Sequence, residues 1–235
     1  MAGKAKAVAK PSAKSADKEG SGFVLDRMKR KTLMVTIEGI SPLCTHKWDS
    51  KAIIMIADKQ AGAGKQVREK RDPRAEWEAA FHRDPKTGVP VLPVSMFKKS
   101  LINAAHTNLG IAKTVVSGAC YFRGDVASGY TEIQGEVLPF EHPETCKTVR
   151  LGGMSNPADL RYRPMWPEGW KCTMYIDFFE NMITIDQILN LLEKAGFTLG
   201  VAEGRPQKQS GLDWGRFQVL HEEAVVIPTI SKKSA

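Results

Sequence analysis

Hydrophobic and polar residues alternate over 33–39, with Leu33, Val35 and Ile37 on one face and Met34, Thr36 and Glu38 on the other. A period of two marks a half-buried strand, and Ser41-Pro42 ends it. The same alternation over 174–179 predicts another strand, and Phe217 and Val219 share one face of a closing strand at 216–220. The period lengthens toward 3.6 at 96–106, where Phe97, Leu101 and Ala105 form an inner helical stripe that Ser95 is placed to cap. Ile185, Ile188, Leu189 and Leu192 make a second stripe over 185–195; Thr184 and Gln187 spell its capping box and Gly196 its stop.

A third helix is expected at 73–82, capped by Asp72 and opened by Pro73. Residues 113–122 and 131–138 read as strands joined through Gly124 and Gly129. Residues 50–72 are polar and interrupted, 84–88 form a turn, and two prolines make 89–93 an extended approach to a helix. The stretch 139–170 carries Pro139, Pro143, Gly152, Gly153, Pro157, Pro164 and Pro167 and reads as irregular. With about 50–88 and 139–170 set aside as insertions, the order is strand, helix, strand, strand, helix, strand. That order predicts an α+β fold, the ferredoxin-like (RRM-like) split βαβ domain, over residues 22–235. Its helices cover one side of the sheet, so the other face or its rim can meet single-stranded nucleic acid.

Composition narrows the partners. The 235 residues are 42% hydrophobic, enough for one core, and no apolar run approaches the ~18 residues of a bilayer span. Without an apolar leader, the chain is expected to be cytoplasmic, with no membrane partner. Cys44, Cys120, Cys146 and Cys172 lack metal-ligand spacing, so no metal, cofactor or disulfide framework is expected. A net charge of +8 and a pI near 9.3 favour polyanions. Residues 1–21 hold five lysines against two acids in a Lys/Ala/Ser-rich run, which reads as a disordered basic tail.

The segment 196–219 combines Gly200, Gly204, Gly211 and Gly215 with Arg205, Lys208, Arg216 and Trp214. Glycines let backbone approach a bulky ligand, cations meet phosphate, and an indole offers a stacking face. An ordinary flexible loop is the competing reading.

Three segments resemble the repeat-associated mysterious protein (RAMP) superfamily of CRISPR systems. Residues 35–43 followed by Thr45-His46 look like its first strand and Ser-Pro-Leu-His turn. Residues 91–105 are similar to its Ile-Pro-Gly-Ser-Ser-Leu-Lys-Gly helix start, with Val94 and Lys99 in place of glycines and Lys98 at the lysine. Residues 199–217 resemble its C-terminal glycine-rich loop and closing strand. The resemblance implies a ferredoxin-like fold with a helical insertion, RNA in a basic groove, and possible homo-oligomer or filament assembly; stand-alone phage-encoded proteins also look like this.

A phosphate loop at Ala63-Gly64-Lys65 fails because Lys59 and Gln66 occupy the required glycine and hydroxyl positions. His46 and Asp49 are the catalytic candidates, as residues that could move a 2′-hydroxyl proton; a polar loop is the alternative. Arg150, Arg161 and Arg163, with Tyr162, form a second basic patch. Trp48, Trp166 and Trp170 could stack on bases or pack inside, and Lys65, Arg68, Lys70, Arg71 and Arg74, interleaved with acids, read as a solvated helical face. The expected function is non-catalytic binding of single-stranded RNA or DNA, RNA preferred, through Arg205, Lys208, Trp214, Arg216, Arg150, Arg161, Arg163 and Lys98. The alternatives are a metal-independent endoribonuclease using His46 and a phage strand-annealing protein.

Overall fold

The computed structural model describes residues 29–47, 50–62, 70–150, 158–208 and 211–227. The first alternating segment becomes strand β1 (Arg30–Gly39), with Leu33, Val35 and Ile37 fully buried. Each such burial contributes about 1.5–3 kcal/mol. Next come β2 (Leu43–Cys44), α1 (Ser50–Gln60), α2 (Pro73–Ala79), β3 (Val91–Pro93), α3 (Ser95–Leu109), α4 (Lys113–Ala119), β4 (Cys120–Gly124) and β5 (Tyr130–Glu132). The second half holds β6 (Cys146–Arg150), β7 (Ala158–Tyr162), β8 (Met165–Trp166), β9 (Lys171–Phe179), α5 (Ile185–Thr198), β10 (Phe217–Val219) and β11 (Val225–Ile227).

The fold is mixed α+β with antiparallel sheets. The main sheet runs β10-β1-β9-β4, and β11 takes the part of the β1 edge that β10 leaves open. β1 and β9 pair from Arg30 opposite Phe179 to Glu38 opposite Lys171. α3 and α5 pack together, and Phe97 of α3 meets Phe217 of β10 edge-on at 5.6 Å. The alternate β1, β4 and β9 positions, facing away from this core, carry Thr32, Thr36, Arg123, Thr173 and Asp177. Burial alone would raise Asp177, but hydrogen bonds from Arg123 (3.0 and 2.9 Å) and Thr32 (2.6 Å) outweigh it and hold the carboxyl below its ordinary value.

The stretches around α2 and around β6, β7 and β8 fold against each other. Trp77 of α2 packs edge-on against Phe81 (4.8 Å) and Phe140 (6.0 Å), as does Phe81 against Trp166 (5.8 Å), while Phe140 and Tyr162 meet tilted at 34° (5.7 Å). Arg71 pairs with Glu76 and donates to Asp159 (2.6 Å) and to the Leu160 carbonyl (2.7 Å), tying α2 to β7. Arg71 is therefore a cross-link, where the interleaved charges had suggested only a solvated face. Trp166 and Trp170 are both 1% exposed core residues, not stacking platforms, and Trp170 donates to the Ser41 carbonyl at 2.9 Å.

Several expectations are corrected. Residues 113–119 are helical because Val116 and Ala119, three apart, are the buried pair; tertiary burial overrides the strand preference of Thr114 and Val115. Only 120–122 of that expected strand is extended, as the start of β4, which runs on to Gly124, and the next strand stops at Glu132. The proline-rich stretch contains the β6–β7 hairpin and β8, and 50–60 is helix α1. Ser95 makes no capping bond; Val94 holds that position. Asp72 does cap α2, accepting from Arg74 and Ala75, but α2 ends at Ala79. The Thr184–Gln187 capping box is present, while α5 runs past buried Gly196 to Thr198.

Candidate nucleic-acid interface

The chain turns at Pro42 and pairs β2 with β8, Leu43 opposite Trp166 and Cys44 opposite Met165. Beyond β2, the Thr45 N–H donates to Pro164 and the Lys47 N–H to Ala80, which hands His46 to the surface between the main sheet and the smaller lobe. An isolated bridge joins Cys44 to Glu203, whose N–H donates to the Cys44 carbonyl at 3.0 Å. His46 Nδ1 consequently stands 3.7 Å from Glu203 Oε2, and Arg163 Nε donates to that same oxygen at 3.3 Å. Burial first, then the Arg163 guanidinium, lowers His46 below its ordinary value against the opposing pull of Glu203; Arg161 and Lys208 add to the lowering. The imidazole is thus neutral at neutral pH.

The glycine-rich segment is packed, not open. Gly200, Val201, Ala202, Gly204 and Gly215 are buried, and Gly211 is exposed. Gly215 has φ +66, its N–H donates to the Pro42 carbonyl at 2.8 Å, and a Cβ there would lie 2.1 Å from the Val201 carbonyl. Gly204, φ +69, lies against the six-membered ring of Trp214, which a Cβ would meet at 2.2 Å. These glycines let two backbone segments and an indole close on one another.

The hairpin supplies the rest. Lys147 lies directly opposite Arg161 across β6 and β7, and Lys147 Nζ stands 4.7 Å from the centre of the Trp214 ring. Like charges opposed across a ladder are unfavourable; Asp159, 2.9 Å from Arg161, offsets part of this. Lys147 and Lys208 both act electrostatically on buried Cys44, whose thiol burial pushes up. The structure therefore gathers His46, Arg161, Lys208 and Trp214, with Lys147 and Glu203, which the sequence reading missed. Glu203 is a single acid in a glycine-rich run, and Lys147 is brought in by hairpin register alone.

The other candidates fall elsewhere. Arg163 is 5% exposed, bonded to Glu203, to Glu76 (3.4 Å) and to the Tyr162 carbonyl (2.9 Å), a buried tie beneath the surface. Arg205 donates to the Ala202 carbonyl (2.8 Å) and to Gln207 (3.3 Å). Arg216 pairs with Asp213 at 2.8 Å, donates to the Phe197 carbonyl and covers the Phe197 ring. Arg150 is the last residue of β6. Lys98 lines a shallow cavity of about 350 Å³ with Arg30, Tyr121 and Asp177, beside the start of β1. Asp49, Trp48, Lys65, Arg68 and the basic tail lie outside the described residues. Among the described residues no three His, Cys, Asp or Glu side chains gather as a metal would need, and no helix is long and apolar enough to cross a membrane.

No protein-family model matches the sequence, and no curated protein matches it. Among solved structures, the chain is similar to one titled as the type III-B Cmr-beta bound to cognate target RNA, with TM-score 0.48 and 11% identity, over 85% of this chain and 61% of that one. It thus spans less than two thirds of that chain's length. It is also similar to Cmr6 from Pyrococcus furiosus, with TM-score 0.37 and 11% identity, over 82% of this chain and 99% of that one.

Proposed function

We propose that the protein binds single-stranded nucleic acid, RNA in preference to DNA and without cleaving it, on the seam where the hairpin, the glycine-rich segment and the His46 turn meet. The observation that carries this reading is the opposition of Lys147 and Arg161 beside Trp214, with Lys208 close enough to act electrostatically on His46. A fold has little reason to set two cations face to face unless a polyanion meets them. Arg161, Lys147 and Lys208 contact phosphates. A base stacks on Trp214 as Lys147, a flexible chain, moves its ammonium from the ring to the adjoining phosphate. The strand order β10-β1-β9-β4 with two packed helices supports the ferredoxin-like split βαβ reading, as one domain over 22–235 with insertions at about 50–88 and 139–170.

Fluorescence anisotropy with unstructured RNA and DNA oligonucleotides tests this. Binding at about 50 mM salt should weaken on adding salt, and Lys147→Ala with Arg161→Ala should lower the log–log slope by about 0.7 per lost phosphate contact. Absence of binding at low salt would sink the proposal.

A second reading rests on His46, a neutral imidazole 39% exposed beside a carboxylate, as proton acceptor in RNA self-cleavage. Incubating RNA with wild type and His46→Ala decides it: cleavage by wild type alone supports an endoribonuclease, and equal or absent cleavage removes that reading.

A further inference from the structure

The cationic seam has an acid at its centre. Glu203 is about as accessible as Arg161, with side-chain exposures of 32% and 36%. Its backbone is fixed by the bridge to Cys44, and the next residue, Gly204, seats the Trp214 ring. Its Oε2 faces Arg163 Nε at 3.3 Å and His46 Nδ1 at 3.7 Å; among the described residues its Oε1 accepts no hydrogen bond. A carboxylate beside phosphate-binding cations is repelled by the backbone of a bound strand. It is matched by a different part of the nucleotide, the donor groups on a base edge.

We propose that Glu203 reads the amino group of a base seated against Trp214, so that this position favours cytosine, adenine and guanine over uracil. The inference rests on the nucleic-acid reading above. Cytosine presents N4–H₂ where uracil presents the O4 carbonyl; a carboxylate accepts from the first and is repelled by the second. Adenine offers N6–H₂, and guanine offers N1–H and N2–H₂ together. Arg163 and His46 orient the carboxylate, since buried Arg163 holds Oε2 and leaves Oε1 for the ligand. The stacking face of Trp214 accepts any base and supplies affinity without choice. The choice comes from Glu203.

The test compares oligo(rC) with oligo(rU) of equal length, by anisotropy at one salt concentration. Wild type should bind oligo(rC) about tenfold more tightly, the effect of one hydrogen bond to a charged acceptor. Oligo(rC) in which N4 is dimethylated should fall to the level of oligo(rU) on the unaltered protein, which keeps the test independent of any variant's folding. Glu203→Gln, checked for an unchanged melting curve, should bind the two homopolymers equally, because an amide serves both edges. Equal binding of oligo(rC) and oligo(rU) by wild type overturns the inference and leaves the nucleic-acid reading standing. So does a cytosine preference that survives Glu203→Gln. Failure to bind either oligonucleotide overturns the nucleic-acid reading itself.

Discussion

The main sheet with α3 and α5 is held by apolar burial, whereas the lobe of α2 and the β6–β7 hairpin adds ion pairs to aromatic residues, Trp77, Phe81 and Trp166, that share the same core. In the first region Leu33, Ile37, Phe97, Leu101, Met174 and Phe217 lie out of solvent in one continuous core. In the second, Arg71 reaches Asp159, Arg163 ties Glu76 to Glu203, and Trp77 packs on Phe81 and Phe140. Apolar burial is not weakened by charge screening and is non-directional. Ion pairs are screened and depend on both partners staying in place. The candidate interface sits where the two kinds of construction meet, so its side chains inherit their positions from both.

Phe97→Ala should break the first region most severely, by about 3–5 kcal/mol in urea unfolding, since it empties the contact with Phe217. A loss that depended strongly on salt would contradict the assignment of that region to apolar burial. Gly215→Ala should cost about 3 kcal/mol, because a Cβ at φ +66 meets the Val201 carbonyl at 2.1 Å. It should also weaken oligonucleotide binding, as the backbone shift moves the adjoining Trp214 off its seat on Gly204; a stable variant with full binding would separate the glycine segment from the site.

Arg163→Met should cost about 2 kcal/mol, less than the core substitution, because Glu76 and Glu203 are left partly exposed to water when their partner goes. Its effect should shrink with added salt, in contrast to Phe97→Ala. The smallest effect concerns pH. Burial, then Lys47 and His46, lowers His82, and His46 is lowered as well, so both imidazoles bind protons more weakly folded than unfolded. Their contribution is complete above the unfolded value of 6.5 and is lost as pH falls through the lower folded values. Urea midpoints measured from neutral pH downward should decline across that window, less steeply in His82→Asn; an unchanged slope would remove His82 from this account.

The comparison also explains what was readable in the chain. The apolar region announces itself locally: alternation marked β1 and β9, the 3.6 period marked α3 and α5, and the Thr184–Gln187 box marked the start of α5. The lobe does not. β6 and β7 lie in a stretch whose prolines and glycines suggest disorder of pattern, and their strands exist because Lys147 finds Arg161 and Thr148 finds Leu160 across a hairpin. Arg161, Lys208, Trp214 and His46 could be picked out as residue types, but their meeting could not, because they come from three segments far apart in sequence.

By itself, then, the sequence determined the faces of the main strands and helices, since periodic burial is a local property of the chain. Tertiary structure decided which cations became internal ties and which stayed partly exposed: Arg163 went inside between two carboxylates, while Lys147 and Arg161, the latter paired with Asp159, were brought face to face. The physical reason is that charge acts through distance and burial, and both are set only when remote segments pack.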